Sequence, residues 1–200
     1  MGRQPLPPAT GVRVFAALGR YIDHADPATR IANSVALLVG SNGPFYPAYV
    51  WYLAPEAGPV SLATMAASPF FLAIPWLSRR SAVAARVALP VVGIANTVWT
   101  AALLGPATGV AVFLFPCLLL AMLSWREKTA MFVLLGAGLA AQQALLRWPW
   151  PALSGLDPMV QGNLVALNAM SVGALLAVLV ASLAGLLRDH DVADGRGTPP

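Results

Sequence analysis

Charged residues are missing from long stretches of this chain, and the gaps recur at near-regular intervals. None occurs from Ile31 to Leu53, Val60 to Leu77, Gly109 to Leu123, Ala130 to Leu146 or Val160 to Leu187. Val83 to Leu104 carries one, Arg86, close to its start. A helix needs on the order of 20 apolar residues to cross the hydrocarbon core of a bilayer. Ile31–Leu53 reaches about 34 Å at ~1.5 Å per residue, enough with some tilt. Gly109–Leu123 falls short alone and needs its flanks, Pro106 to Trp125, to complete a span. The pattern predicts an all-α polytopic membrane protein, a bundle of six transmembrane helices. The first apolar stretch begins too far into the chain for a cleaved signal peptide and is expected to be retained.

The segments between the gaps divide the chain into an arm (1–30), a transmembrane domain (31–187) and a tail (188–200). Residues 1–11 are proline-rich and expected to be disordered. Val14, Phe15, Leu18, Tyr21 and Ile22 then share one helical face, with Arg13 and Arg20 away from it. That face suits an amphipathic helix lying on the membrane surface or one packed on the end of the bundle. Asp26 followed by Pro27 reads as an N-cap and first helical residue for the first span. Short connections, "APEAGP", "GPATG" and "SWREKT", make successive helices antiparallel neighbours. The longer "RWPWPALSGLDP" suggests a bent segment at a membrane interface, where its two tryptophans are favoured. The polar tail is expected to be disordered.

Composition agrees: 58% of the 200 residues are hydrophobic and 10% are charged, where soluble domains run near a quarter charged. Of the 12 basic residues, all but Arg147 fall in the arm, the second and fourth connections and the tail. By the positive-inside rule this places both termini in the cytoplasm. The net charge of +4 is thereby a topology signal, and nucleic acid is not an expected partner. Cys117, the single cysteine, lies in the fourth span and reads as a small apolar packing residue. Richness in Ala, Gly, Pro and Arg points to a bacterial inner membrane.

The spans lack the groups most chemistry needs. Both histidines, His24 and His190, lie outside them, and no Asp, Glu or Lys sits at mid-membrane. That disfavours haem ligation, metal binding, proton relays and nucleophilic hydrolysis, so no cofactor is expected and the chain is not expected to be an enzyme. Neutral polar residues remain. Asn42 and Asn96 fall near the middle of their spans; Gln142 and Asn168 fall in the outer halves of theirs. An unpaired amide in hydrocarbon costs several kcal/mol, so these groups should meet one another, backbone or water. They are either interhelical glue or the lining of a polar pocket.

The first span holds the sharpest anomaly, "SNGPFYPAYVWY". Pro44 and Pro47 lack N–H groups and clash with the carbonyls of Gly40 and Gly43, so the helix should kink or open there. A proline kink beneath an aromatic belt accounts for Trp51 and Tyr52. The coincidence of Ser41, Asn42, Gly43, Pro44 and Pro47 at membrane depth instead fits a helix broken at a binding site. The expected ligand-binding residues are Ser41, Asn42, Pro44, Tyr46, Pro47, Tyr49, Asn96, Gln142 and Asn168. The expected ligand is a small neutral or amphipathic, lipid-like molecule, bound or transported.

Small residues recur at four-residue spacing in three spans: Gly93, Thr97, Ala101 and Gly105; Gly136, Ala140 and Ala144; and Ala169, Gly173, Ala177, Ala181 and Gly185. Such stripes let helix backbones approach closely, and packing within the chain is the expectation. Membrane lipids are expected partners. A membrane protein partner enters with two alternatives, an accessory subunit of a larger complex and the sensory module of a split signalling system.

Overall fold

The computed structural model describes residues 10–147 and 155–193. The described residues are helical apart from short turns. Helix α1 spans Thr10–Ile22, α2 Pro27–Asn42, α3 Phe45–Leu53, α4 Gly58–Ser61, α5 Ser68–Ser78, α6 Ala82–Leu104, α7 Leu114–Ala121, α8 Lys128–Arg147 and α9 Pro158–Ala193. Tighter 3-10 turns join α3 to α4 and α4 to α5, so Pro55–Ser78 runs as one helical stretch. Among the described residues four stretches are long and apolar enough to cross a membrane: Pro55–Ser78, Ala82–Leu104, Lys128–Arg147 and Pro158–Arg188. The first expected crossing is divided between α2 and α3, and the fourth, Val110–Ser124, is shorter. Residues 1–9, most of the tryptophan-bearing fifth connection and the end of the tail lie outside the described residues. Helix α9 continues past Leu187 to Ala193, so the first residues of the tail, expected to be disordered, are helical.

Helix starts follow local chemistry. Asp26 caps α2, its carboxylate accepting from the Thr29 N–H at 3.1 Å, with Pro27 as first helical residue. Ser81 caps α6 by accepting from the Ala84 N–H at 3.1 Å. Helix α6 stops at Gly105, whose φ of +92° few side chains tolerate, and Gly109 turns the chain again at +76°. Packed against α2, α5, α7 and α8, α6 is the hub of the bundle.

The core has three parts. At the end where α2 and α6 begin, Ala32, Val35, Ala36, Phe71, Ile74, Ala85 and Leu89 pack with Leu120, Leu123 and Leu179. At the opposite end Val50, Ala54, Ala57, Leu103 and Leu104 pack with Leu156 and Leu164. A smaller cluster joins Ala101, Val110, Leu114 and Leu145. Polar ties close the first end. The Asn33 amide donates to the Ile22 carbonyl at 3.1 Å and to Ser78 Oγ at 3.0 Å, and the Tyr21 hydroxyl donates to the Leu72 carbonyl at 2.7 Å.

Arg86, expected as one of the basic residues in the second connection, is instead buried, 6% exposed. Its guanidinium bridges Asp26 and Glu127, the latter at 2.7 Å, and donates to Thr29 Oγ1 at 3.0 Å. The starts of α2, α6 and α8 are thus bound through one side chain. An arginine five residues into a helix cannot reach water here, and carboxylates from two other elements supply its counter-charge.

The small-residue stripes divide in a way the sequence expectation does not match. On α6, Thr97, Ala101 and Gly105 are buried, and a Cβ on Gly93 would stand 2.6 Å from Cys117 Sγ. On α8 and α9, however, Gly136, Ala140, Ala144, Ala169, Gly173, Ala177, Ala181 and Gly185 are all exposed. Among the described residues the α6 stripe is the buried one; the spacing is common to all three stripes, and the neighbours of each helix decide which way it faces.

Candidate functional site

Helices α2 and α3 meet at Gly43–Pro44. Both joint residues stay in right-handed helical geometry, Gly43 at φ −47°, ψ −45° and Pro44 at φ −68°, ψ −22°. The carbonyl that Pro44 frees on Gly40 is taken by the Gly43 N–H, at 3.4 Å. The helix is interrupted and tightened rather than unwound. Gly43 faces the start of α5 so closely that a Cβ there would lie 1.9 Å from Ser68 Oγ. The glycine is needed for that approach, and the proline sets the bend beside it.

On the bundle side of this joint lies a cavity of about 530 Å³. Each wall is one helical stripe at spacing i, i+3, i+4, i+7. From α2 come Val35, Leu38, Val39 and Asn42; from α6 come Gly93, Asn96, Thr97 and Thr100; from α9 come Ser171, Ala174, Leu175 and Val178. Thr64, Ala67, Ser68 and Phe71 form a fourth wall, and Phe113, Pro116, Cys117 and Leu120 a fifth. Tyr46 closes the end toward α3. No lining side chain carries a charge. Leu38 and Asn42 on α2 and Ala174 and Val178 on α9 line the space yet are exposed. The mouth therefore opens sideways between α2 and α9.

The nine residues expected at the site separate into two groups. Asn42, Tyr46 and Asn96 line the cavity. Asn168 stands just behind Tyr46, fully buried, donating to the Thr108 carbonyl at 2.9 Å and more weakly to the Tyr46 hydroxyl at 3.4 Å. The others lie elsewhere. Ser41 and Pro44 are exposed, with Ser41 Oγ bonded to the Leu38 carbonyl at 3.0 Å. Pro47 is buried and its carbonyl accepts from Ser61 Oγ at 3.3 Å. Tyr49 packs against the core around Val50, and Gln142 is half-buried on α8 away from the lining. The carbonyl oxygens of Asn96, Asn168 and Gln142 are buried without a hydrogen-bond partner among the described residues. Each such acceptor costs on the order of 1–3 kcal/mol until something donates to it.

Thr64, Ser68 and Thr100 line the cavity too, and the sequence reading passed over them. A signal existed on α6, where Gly93, Asn96, Thr97 and Thr100 form one polar face of an otherwise apolar helix. Thr97 Oγ1 is already satisfied by the Gly93 carbonyl at 2.9 Å, so Asn96 and Thr100 are the groups on that face left for a ligand. Thr64 and Ser68 offered no such pattern, because they belong to a wall that begins in a 3-10 turn. Among the described residues no group of His, Cys, Asp and Glu could hold a metal. No known family model matches this chain, nor does any curated protein or solved structure.

Proposed function

We propose that this protein binds, or carries across the membrane, a small neutral or amphipathic, lipid-like molecule in the cavity beside the α2–α3 joint, without catalysing a reaction. The observation that carries the reading is the uncharged lining. At about 530 Å³ the cavity falls within the usual range for small-molecule sites. A charged ligand would find no counter-charge there, whereas a hydroxyl or amide head would find Asn42, Asn96 and Thr100, and an apolar body would find Val35, Val39, Leu89 and Leu175. The sideways mouth suits a ligand that partitions into the bilayer first. In this reading α2 and α3 together make one interrupted crossing and Val110–Ser124 another. The chain then crosses six times with both termini in the cytoplasm, in a bacterial inner membrane, and α1 lies along the cytoplasmic surface with Val14, Phe15 and Leu18 toward lipid. The arginine distribution supports that orientation.

The test is native mass spectrometry of protein gently extracted from its own membrane, wild type beside Asn42→Ala. A small molecule present on wild type and lost in the variant supports the reading. Cys117 gives an independent check, since it is the single cysteine and lines the cavity. A bound ligand should slow its modification by a small apolar thiol reagent. A bare wild-type protein with an unprotected Cys117 would overturn the proposal.

A second reading, an accessory subunit docked to another membrane chain, rests on the outward stripe of α9. A Cβ on Gly173 or Gly185 would meet nothing within 4 Å. If that stripe seats a partner helix, Gly173→Leu should leave the thermal stability of the isolated chain unchanged and abolish co-purification of the partner.

A further inference from the structure

A second concavity lies apart from the cavity, on the outside of the bundle where α6 packs on α8. Its walls are apolar: Val87 and Val91 from α6, Val133 and Leu134 from α8. Val91 and Val133 are exposed, so among the described residues nothing covers the groove. Its rim is different in kind, formed by Arg126, Glu127, Lys128 and Thr129. Glu127 already spends one oxygen on Arg86 at 2.7 Å, inside the bundle. Arg126 stacks on Trp125, with its guanidinium 5.2 Å from the ring centroid. Among the described residues neither Arg126 nor Lys128 is paired with a carboxylate. Two cations thus stand over an apolar cleft, beside an exposed tryptophan of the kind found at headgroup depth.

We infer that this groove is a binding site for one anionic phospholipid, with the phosphate between Arg126 and Lys128 and an acyl chain along Val87, Val91 and Val133. The charge on the rim selects the occupant. A second protein helix laid in the groove would bury both cations without counter-charge, which is costly. A zwitterionic lipid brings its own ammonium to a rim that already holds two positive groups. An anionic lipid supplies the missing charge and the apolar tail together, and basic pockets between membrane helices take such headgroups. The inference does not depend on the cavity, whose lining is neutral and shares no residue with the groove.

The experiment places the full chain in nanodiscs holding equal amounts of phosphatidylglycerol and phosphatidylcholine, releases it, and reads the retained lipid by native mass spectrometry. Wild type should keep one phosphatidylglycerol. In Arg126→Gln/Lys128→Gln the preference for phosphatidylglycerol should fall about thirtyfold, from two lost headgroup contacts. Arg79→Gln/Arg80→Gln removes the same charge from arginines that lie over Tyr21 and Trp76, and should keep the wild-type preference. Val133→Trp, which fills the groove and leaves the charges in place, should lower occupancy and secures the test if the double variant fails to fold. Three results would overturn the inference: an unchanged preference in Arg126→Gln/Lys128→Gln, an equal loss in Arg79→Gln/Arg80→Gln, or a second copy of the chain retained in place of lipid.

Discussion

Removing the Arg86 guanidinium should be among the most destabilising single changes open to this protein. In Arg86→Met the apolar part of the side chain is kept and the charge is lost. Three hydrogen bonds go with it, to Asp26, Thr29 and Glu127, and two carboxylates are left without a counter-ion. Breaking a fully buried pair costs about 3–5 kcal/mol. Here the acids are 25% and 28% exposed, and Asp26 keeps its bonds from the Thr29 N–H and hydroxyl. Water can recover part of the loss, so about 2–3 kcal/mol is expected. For a chain of this size that is a fall in Tm of roughly 5–10 °C, measured by thermal unfolding in detergent. The informative partner is Asp26→Asn/Arg86→Met/Glu127→Gln, which removes the orphaned charges while the amide that replaces the Asp26 carboxylate can still cap α2. It should recover at least half of the loss, because the damage lies in the uncompensated carboxylates. If Arg86→Met melts within about 2 °C of wild type, or the triple variant is no better than the single, the ionic account is wrong and Arg86 acts only by filling space.

Other consequences are more local. Burial pushes the Asp26 carboxyl up, but hydrogen bonds from Thr29 and the charge of Arg86 outweigh it and hold the group below its ordinary value. Its folded pKa lies under its unfolded one, so its stabilisation is present at neutral pH and is lost as pH falls through the folded value, below the ordinary carboxyl range. A pH series of melting temperatures should therefore drop less steeply on the acid side for Asp26→Asn than for wild type. Gly43→Ala drives a methyl into Ser68 and should cost about 1–3 kcal/mol, with Ser68→Gly in the same chain restoring most of it in a melting assay. Asn168→Leu strips the donor from the buried Thr108 carbonyl and should cost about 1–3 kcal/mol; an unchanged melting temperature would mean that water replaces the amide.

Much of the helical pattern was legible because lipid imposes it: uncharged runs of the right length have few other uses. The Asp26–Pro27 start and the interruption near Pro44 were readable for a related reason, since capping and ring sterics act over four residues and need no knowledge of partners. What could not be read is which way a helix faces. Glycine and alanine at every fourth position describe equally well the buried face of α6 and the exposed faces of α8 and α9. Arg86 shows the same limit from the polar side. Its position in an otherwise uncharged helix was plain, but its burial depends on Asp26 and Glu127, far from it in sequence. Asn42, Tyr46 and Asn96 were found because amides and a phenol stand out at membrane depth. Ser41 and Pro44 were drawn in by adjacency to the bend, although on a helix adjacent residues point away from each other.

The ion pairs among the described residues, Arg86 with Asp26 and Glu127, lie at one end of the bundle, and that placement bears on how the middle can work. A hydrogen-bonded ion network restrains its members, and this one does so although Arg86 Nε and Glu127 Oε2 are buried without a partner among the described residues. Arg86 therefore anchors α2, α6 and the start of α8 at one end. Farther along, α2 is cut at Gly43–Pro44, and beyond the cut α3 is held by the bond from Ser61 Oγ to the Pro47 carbonyl at 3.3 Å, by the long 3.4 Å contact from Asn168 to Tyr46 and by packing around Val50. The cavity mouth lies between these two regions. A molecule entering there passes between α2, which is held at the charged end, and α9. The orphaned carbonyl of Asn96 faces that molecule from the lining, and a ligand hydroxyl that satisfied it would regain free energy the empty protein forgoes.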